Sequence, residues 1–313
     1  MFFFFFKIAL FQVMHLQCSH SMKERAYQAV EPSFFIQCRE SYSMARRKPN
    51  ILIFICDHLT RRVLGAYGNE NTAAPAIDAL AHDGVAVDNV YTPTPLCRPT
   101  RAAFWTGRYP HETGVLSNGG RCNDATVRKD VPTVGEIFKQ AGYETIHFGK
   151  THDHGGLRGF KNVVQFAEET KPEHPAWPVG NNTHCDRFTA NCIIDFLEKR
   201  DDEGNPFIAV ADFNNPHEIC SWVGHNAGKH EDIPVPGDLP TLPSNFETPD
   251  LASRPLPIQY LCCSHRRMFQ AAKWTRENYR HYLAAFRHYT SRVDREISRV
   301  MQTLSSMPGG DNT

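Results

Sequence analysis

The sequence carries no surplus of either charge: 34 Lys and Arg stand against 34 Asp and Glu in 313 residues. No global field therefore draws the chain to nucleic acid or to an anionic membrane, and any recognition of an anion must be local. Cysteine is too scarce for a disulfide scaffold, with ten in the whole chain, and no C-x-x-C pair marks a structural zinc site. Most thiols are expected to be free. Long apolar runs are missing as well. Residues 1–14 come nearest, with five consecutive Phe, but fall short of the ~20 residues of a spanning helix and contain Lys7. There is no internal repeat. What is present, 41% hydrophobic residues over 313 positions, is enough for a sizeable core and excludes a disordered or low-complexity chain.

The amino terminus admits two readings. As a secretory signal, residues 1–14 lack basic residues ahead of the apolar run, and no small-x-small cleavage site precedes Cys18. A second start lies at Met44, where Met-Ala-Arg-Arg-Lys-Pro-Asn leads into the first convincing strand. Residues 1–43 are read as an amino-terminal extension and 44–313 as the folded portion. The protein is periplasmic or secreted if the extension is a signal, and cytoplasmic if translation begins at Met44.

Hydrophobic patterning predicts an α/β fold. Residues 51–55 and 207–213 are continuous apolar runs, the pattern of strands covered on both faces of a parallel sheet. Residues 85–90 and 144–148 read as further strands. A helix is expected from Pro75, with Ile77, Leu80 and Ala81 facing inward and Gly84 as its cap, and a second from Thr133, whose pairing with Glu136 is a capping box. Phe188, Cys192, Ile193, Phe196 and Leu197 share one helical face, and an apolar stripe from Tyr279 to Leu304 predicts a long helix. The proline-rich residues 232–257 are expected to be a surface loop.

Unusual polar groups stand just past the expected strands: Asp57 after the first, Cys97 in the loop beyond the second, Lys150 and His152 after Phe148, and His217 after Phe213. In an open parallel sheet these positions fall along one edge, where ligands bind. A carboxylate, a thiol, a cation and two imidazoles suit transfer or hydrolysis of an anionic ester. His152, Asp153 and His154 also have an H-x-H pattern, but such patterns are common in polar loops and zinc is the weaker reading.

The run Cys97-Arg98-Pro99-Thr100-Arg101 is a C-x-P-x-R pentapeptide leading into a short expected helix, residues 100–106, closed by Gly107. Extended through Ala102-Ala103-Phe104-Trp105-Thr106-Gly107-Arg108-Tyr109-Pro110-His111, it resembles the active-site motif of the sulfatase family, over roughly residues 49–313. The resemblance implies an alkaline phosphatase-like sandwich of helices around a largely parallel mixed sheet, truncated at the carboxy terminus. It further implies that Cys97 is oxidised by a formylglycine-generating enzyme to formylglycine. One hydroxyl of the aldehyde hydrate attacks sulfur and the second expels sulfate. By the same resemblance Arg101 stabilises the hydrate, Lys150 and His152 match a G-K-x-H motif, and His217 matches a P-H motif. Asp57 and the modified Cys97 would ligate Ca²⁺ or Mg²⁺.

The sequence departs from the family pattern in two places. His58 stands where a second Asp or a Gln is usual, and is a poor ligand for a hard cation, and Thr151 replaces a usual Trp. The remaining metal ligands of the family follow Asp311-Asn312-Thr313 in the typical pattern. The expected activity is hydrolysis of a sulfuric ester of a small molecule or saccharide, impaired in this chain, with no nucleic-acid or membrane partner. A phosphonate or phosphate ester hydrolase of the same superfamily, and a non-catalytic anion-binding fragment, are the alternatives.

Overall fold

The computed structural model describes residues 47–69, 74–119, 125–166, 183–201, 204–226, 238–246, 251–264, 271 and 274–313. The expected extension at 1–43 lies outside them, as do two stretches of the proline-rich loop.

Four strands, β1 (Ile51–Cys56), β2 (Glu144–Lys150), β3 (Lys161–Phe166) and β4 (Phe207–Phe213), form a sheet in the order β1-β4-β2-β3 with every pairing parallel. The helices are α1 (Pro75–Asp83), α2 (Cys97–Thr106), α3 (Pro110–Thr113), α4 (Val134–Gln140), α5 (Thr183–Glu198), α6 (Ile219–Asn226), α7 (Leu256–Ser264) and α8 (Arg276–Ser306). Strand β4 is central and buried at every position, which explains its unbroken apolar run. Its side chains alternate between two cores. Phe207, Ala209, Ala211 and Phe213 pack with Ile193 and Leu197 of α5 and with Val293, Ile297 and Val300 of α8. Ile208 and Val210 face the other way, with Ile53 and Ile55 of β1 and Trp105 of α2.

Local chemistry sets the helix boundaries. Thr133 accepts from the Glu136 amide while Glu136 accepts from the Thr133 amide, the capping box expected at α4. Thr275 and Asn278 form the same reciprocal pair at the start of α8, whose 31 residues present one apolar stripe to the core. Helix α1 has no side-chain cap of its own, and Asp294 of α8 accepts from the Ala76 and Ile77 amides at 3.2 and 2.9 Å instead.

Several expectations need correction. Residues 85–90 are not a strand: Val85, Val87 and Val90 are exposed and no strand pairs with them among the described residues, so their alternation has no sheet to join. Helix α2 begins at Cys97 rather than Thr100, because Leu96 is already extended and the Thr100 amide bonds back to it. Phe188 is exposed, and Ala190 takes the inner position on α5. Gly84 does stand as the C-cap of α1, though with φ −129 and ψ −136 rather than a left-handed backbone. The stretch read as loop up to residue 257 already contains the start of α7 at Leu256.

Candidate active site

The strand order places the carboxyl ends of β1, β4 and β2 side by side, so residues far apart in sequence meet at one edge. Asp57 follows β1 and is 2% exposed. Lys150 is the last residue of β2, and its Nζ lies 2.6 Å from Asp57 Oδ2 and 3.3 Å from Asn214 Oδ1. Gly149, just before it, has φ +104, and a Cβ there would lie 2.1 Å from the Asp212 carbonyl oxygen of β4. The close approach of the two strands beside the lysine thus depends on glycine.

Cys97 opens α2, where the Arg98 amide donates to Asn118 Oδ1 at 3.0 Å, and its Sγ sits 3.9 Å from Asp57 Oδ1. Arg101, one turn on, is buried with its guanidinium against two carboxylates. It bonds Asp212 through both Nη atoms, Nη2 at 3.0 Å from Oδ1, and reaches Asp57 Oδ2 at 3.4 Å. Ligand atoms of Asp57, Cys97 and His217 all fall within 4.8 Å of one another. The loop carrying His217 is held by Asp186 of α5, whose two carboxylate oxygens accept from the Asn214 and Asn215 amides at 2.7 and 3.1 Å, and the Asn215–Pro216 peptide is cis.

Asp57, Cys97, Arg101, Lys150 and His217 therefore form one cluster. His152 is buried two residues beyond Lys150, at the same end of β2 and with φ 34. His58 is exposed, its ring edge-on to His217 at 6.0 Å, and belongs to the rim. Burial alone would raise the Asp57 carboxyl, but Lys150, Arg101 and His217 outweigh it and hold the group far below the usual carboxylate range. Arg101 is driven upward against its burial by Asp212 and then Asp57.

Three residues of the site escaped the sequence reading. Asp212 and His147 are fully buried in β4 and β2, with His147 Nε2 3.5 Å from Asp212 Oδ2, and Asp186 anchors the His217 loop from α5. The available signal was an acid inside an otherwise apolar strand, which requires a buried partner.

One carboxylate oxygen faces position 97 with an imidazole nearby, so Asp57 and an oxygen-bearing residue 97 fit one side of a hard-cation site.

The family model described as Sulfatase matches residues 49–313. A Delta 4,5-hexuronate-2-O-sulfatase of Bacteroides thetaiotaomicron is 48% identical over 272 residues, covering 87% of this chain and 56% of the relative. The solved structure of a 2-O GAG sulfatase matches with TM-score 0.76 and 48% identity, covering 85% of this chain and 56% of that one. A phosphonate monoester hydrolase of Agrobacterium radiobacter matches at TM-score 0.62 and 20% identity, over 85% of this chain and 61% of that one, a likeness of fold alone. The chain spans little more than half the length of the curated relative it matches over most of its own length.

Proposed function

The chain belongs to the sulfatase family, and from that premise we propose that residues 44–313 carry part of a catalytic site that hydrolyses sulfate esters of saccharides, with a 2-O-sulfated hexuronate as the first substrate to try. The substrate class is argued from the 48% identity to the hexuronate 2-O-sulfatase. The observation that carries the reading is the meeting of Cys97, at the start of α2, with Asp57 and Lys150 at the ends of two strands.

Members of this family generally use a formylglycine and a divalent metal. In this chain Cys97 is the residue for the modification, and Asp57 with the modified residue 97 would hold Ca²⁺ or Mg²⁺, which when bound supplies Lewis-acid polarisation of the ester. The chain's own groups do the rest. Lys150, a compact charge, neutralises sulfate oxygens, and Arg101 orients residue 97 from one helical turn below. His152 and His217 donate protons or hydrogen bonds to the leaving alcohol and to sulfate. Water exclusion at the floor follows from the burial of Asp57, Arg101 and Lys150, which strengthens each charge interaction there.

Co-expression with a formylglycine-generating enzyme tests this directly. The Cys97 peptide should acquire an aldehyde that reacts with a hydrazide, and the protein should release sulfate from an unsaturated 2-O-sulfated hexuronate. Faster turnover of an aryl phosphonate than of an aryl sulfate would instead favour the phosphonate hydrolase. An unmodified Cys97 under conditions that convert a control sulfatase, with no turnover of either, would leave a non-catalytic anion-binding chain.

A further inference from the structure

Asp212 is a carboxylate in the middle of an apolar strand, paired in register with Ile55 of β1 and Gly149 of β2, and fully buried. Burying such a charge costs several kcal/mol unless it is paired and hydrogen-bonded, so its partner is bound to it by more than proximity. Its principal partner is Arg101, with the buried His147 Nε2 3.5 Å from Oδ2 on the β2 side. Both Nη atoms of the guanidinium point to Asp212, one to each oxygen, the fork geometry that is the strongest arginine–carboxylate arrangement. The same guanidinium reaches Asp57 only through the longer contact of 3.4 Å.

The asymmetry matters because Asp57 already has a cation. Lys150 Nζ sits 2.6 Å from Asp57 Oδ2, while Oδ1 is directed to Cys97 Sγ. Were Asp212 absent, Asp57 would be the remaining carboxylate within reach of the guanidinium among the described residues, and a buried arginine would turn its fork there. Asp57 would then carry the full fork of Arg101 in place of the single 3.4 Å contact, in addition to Lys150. With Asp212 in place the buried set holds two carboxylates and two cations, and the face of Asp57 toward residue 97 keeps its negative potential.

We propose that Asp212 is a positioning residue: it draws the Arg101 guanidinium to itself, so that Asp57 keeps one oxygen directed at residue 97 and open to a divalent cation. The role rests on the reading of Cys97 and Asp57 as the reacting end of the site, and extends it to a residue that touches neither.

The unmodified thiol supplies a readout that needs no metal, no formylglycine and no turnover. Alkylation of Cys97 by iodoacetamide at one fixed neutral pH, followed by the mass of its peptide, reports the potential that Asp57 imposes on the sulfur. In D212N the Arg101 fork moves to Asp57, and the alkylation rate of Cys97 at that pH rises at least about threefold. In the R101M background D212N should change the rate by less than about 1.5-fold, because the group through which Asp212 acts is gone. A folded D212N that alkylates at the wild-type rate or slower overturns the proposal, as does an equal effect of D212N with and without Arg101. Should D212N fail to fold, the R101M/D212N pair must fold, since the unpaired guanidinium is removed with its partner, and its failure would also overturn the role. Loss of the sulfatase reading would appear separately, as absence of aldehyde and turnover in the wild type.

Discussion

Cys97→Ala removes one small, half-buried side chain from a polar site, so stability should change by less than about 1 kcal/mol, whereas hydrolysis should fall to background. Urea unfolding beside a sulfate-release assay separates the two effects, and retained turnover in the variant would exclude Cys97 as the source of the nucleophile. A second residue-scale effect lies behind the site. Glu218 is 6% exposed and its carboxyl is pushed up from 4.5 to about 7, by burial first and by Asp186, with Arg292 at 3.3 Å pulling the other way. The folded chain therefore holds a proton that the unfolded chain releases. Its contribution to stability is complete below the unfolded value of 4.5 and is lost as pH rises through about 7, at up to about 1.4 kcal/mol per pH unit. Glu218→Gln should flatten that part of the urea-midpoint profile relative to wild type. Asp57 acts with the opposite sign in another window: its carboxyl is depressed, so its contribution stands above the unfolded value of 3.8 and fades only in stronger acid. A wild-type profile that is already flat from pH 4.5 to 7 in comparison with Glu218→Gln would refute the assignment.

Among the elements, the approach of β2 to β4 is the most exposed to a single change. Gly149→Ala would place a methyl 2.1 Å from the Asp212 carbonyl oxygen at a left-handed φ, so the strands must part, at a cost of about 2–4 kcal/mol. Because Lys150 follows directly, the sulfate-ester hydrolysis proposed for the chain should fall by more than the unfolded fraction explains, and a variant of wild-type stability would contradict the close packing. Asp294→Ala tests the tie between α8 and α1: two amides at the start of α1 lose their acceptor, which should cost about 1–3 kcal/mol in chemical denaturation. These ties mark the boundary of what the sequence made legible. Strands β1 and β4, the capping box at Thr133 and the long stripe of α8 are local patterns and were readable. The cap of α1 was not, since its acceptor lies 217 residues away. Val85, Val87 and Val90 show the converse: alternation describes a chain fit to be a strand, and says nothing of whether a neighbour is there to receive it.

At the scale of the molecule, the cluster was legible where the fold itself supplied the rule. Asp57 and His217 stand beyond the carboxyl ends of β1 and β4, Lys150 is the last residue of β2 itself, and the parallel order brings those ends together. Asp212 and His147 lie within strands, where alternation assigns side chains to a core and gives no warning that two of them are polar. The order β1-β4-β2-β3 also sets a clock. Among the described strands β1 pairs with β4, and β2 reaches β1 across β4, so the backbone pairing that sets Asp57 beside Lys150 is complete only once the strand ending at Phe213 is in place. At ~5–20 residues per second, the ribosome needs on the order of ten seconds to travel from Cys97 to that point. Stalled nascent chains ending short of Phe213 should leave Cys97 fully open to a thiol reagent, and protection before that length would refute the order. If that order holds, the late arrival of the central strand should set the moment at which Cys97 passes from an accessible segment into the finished site.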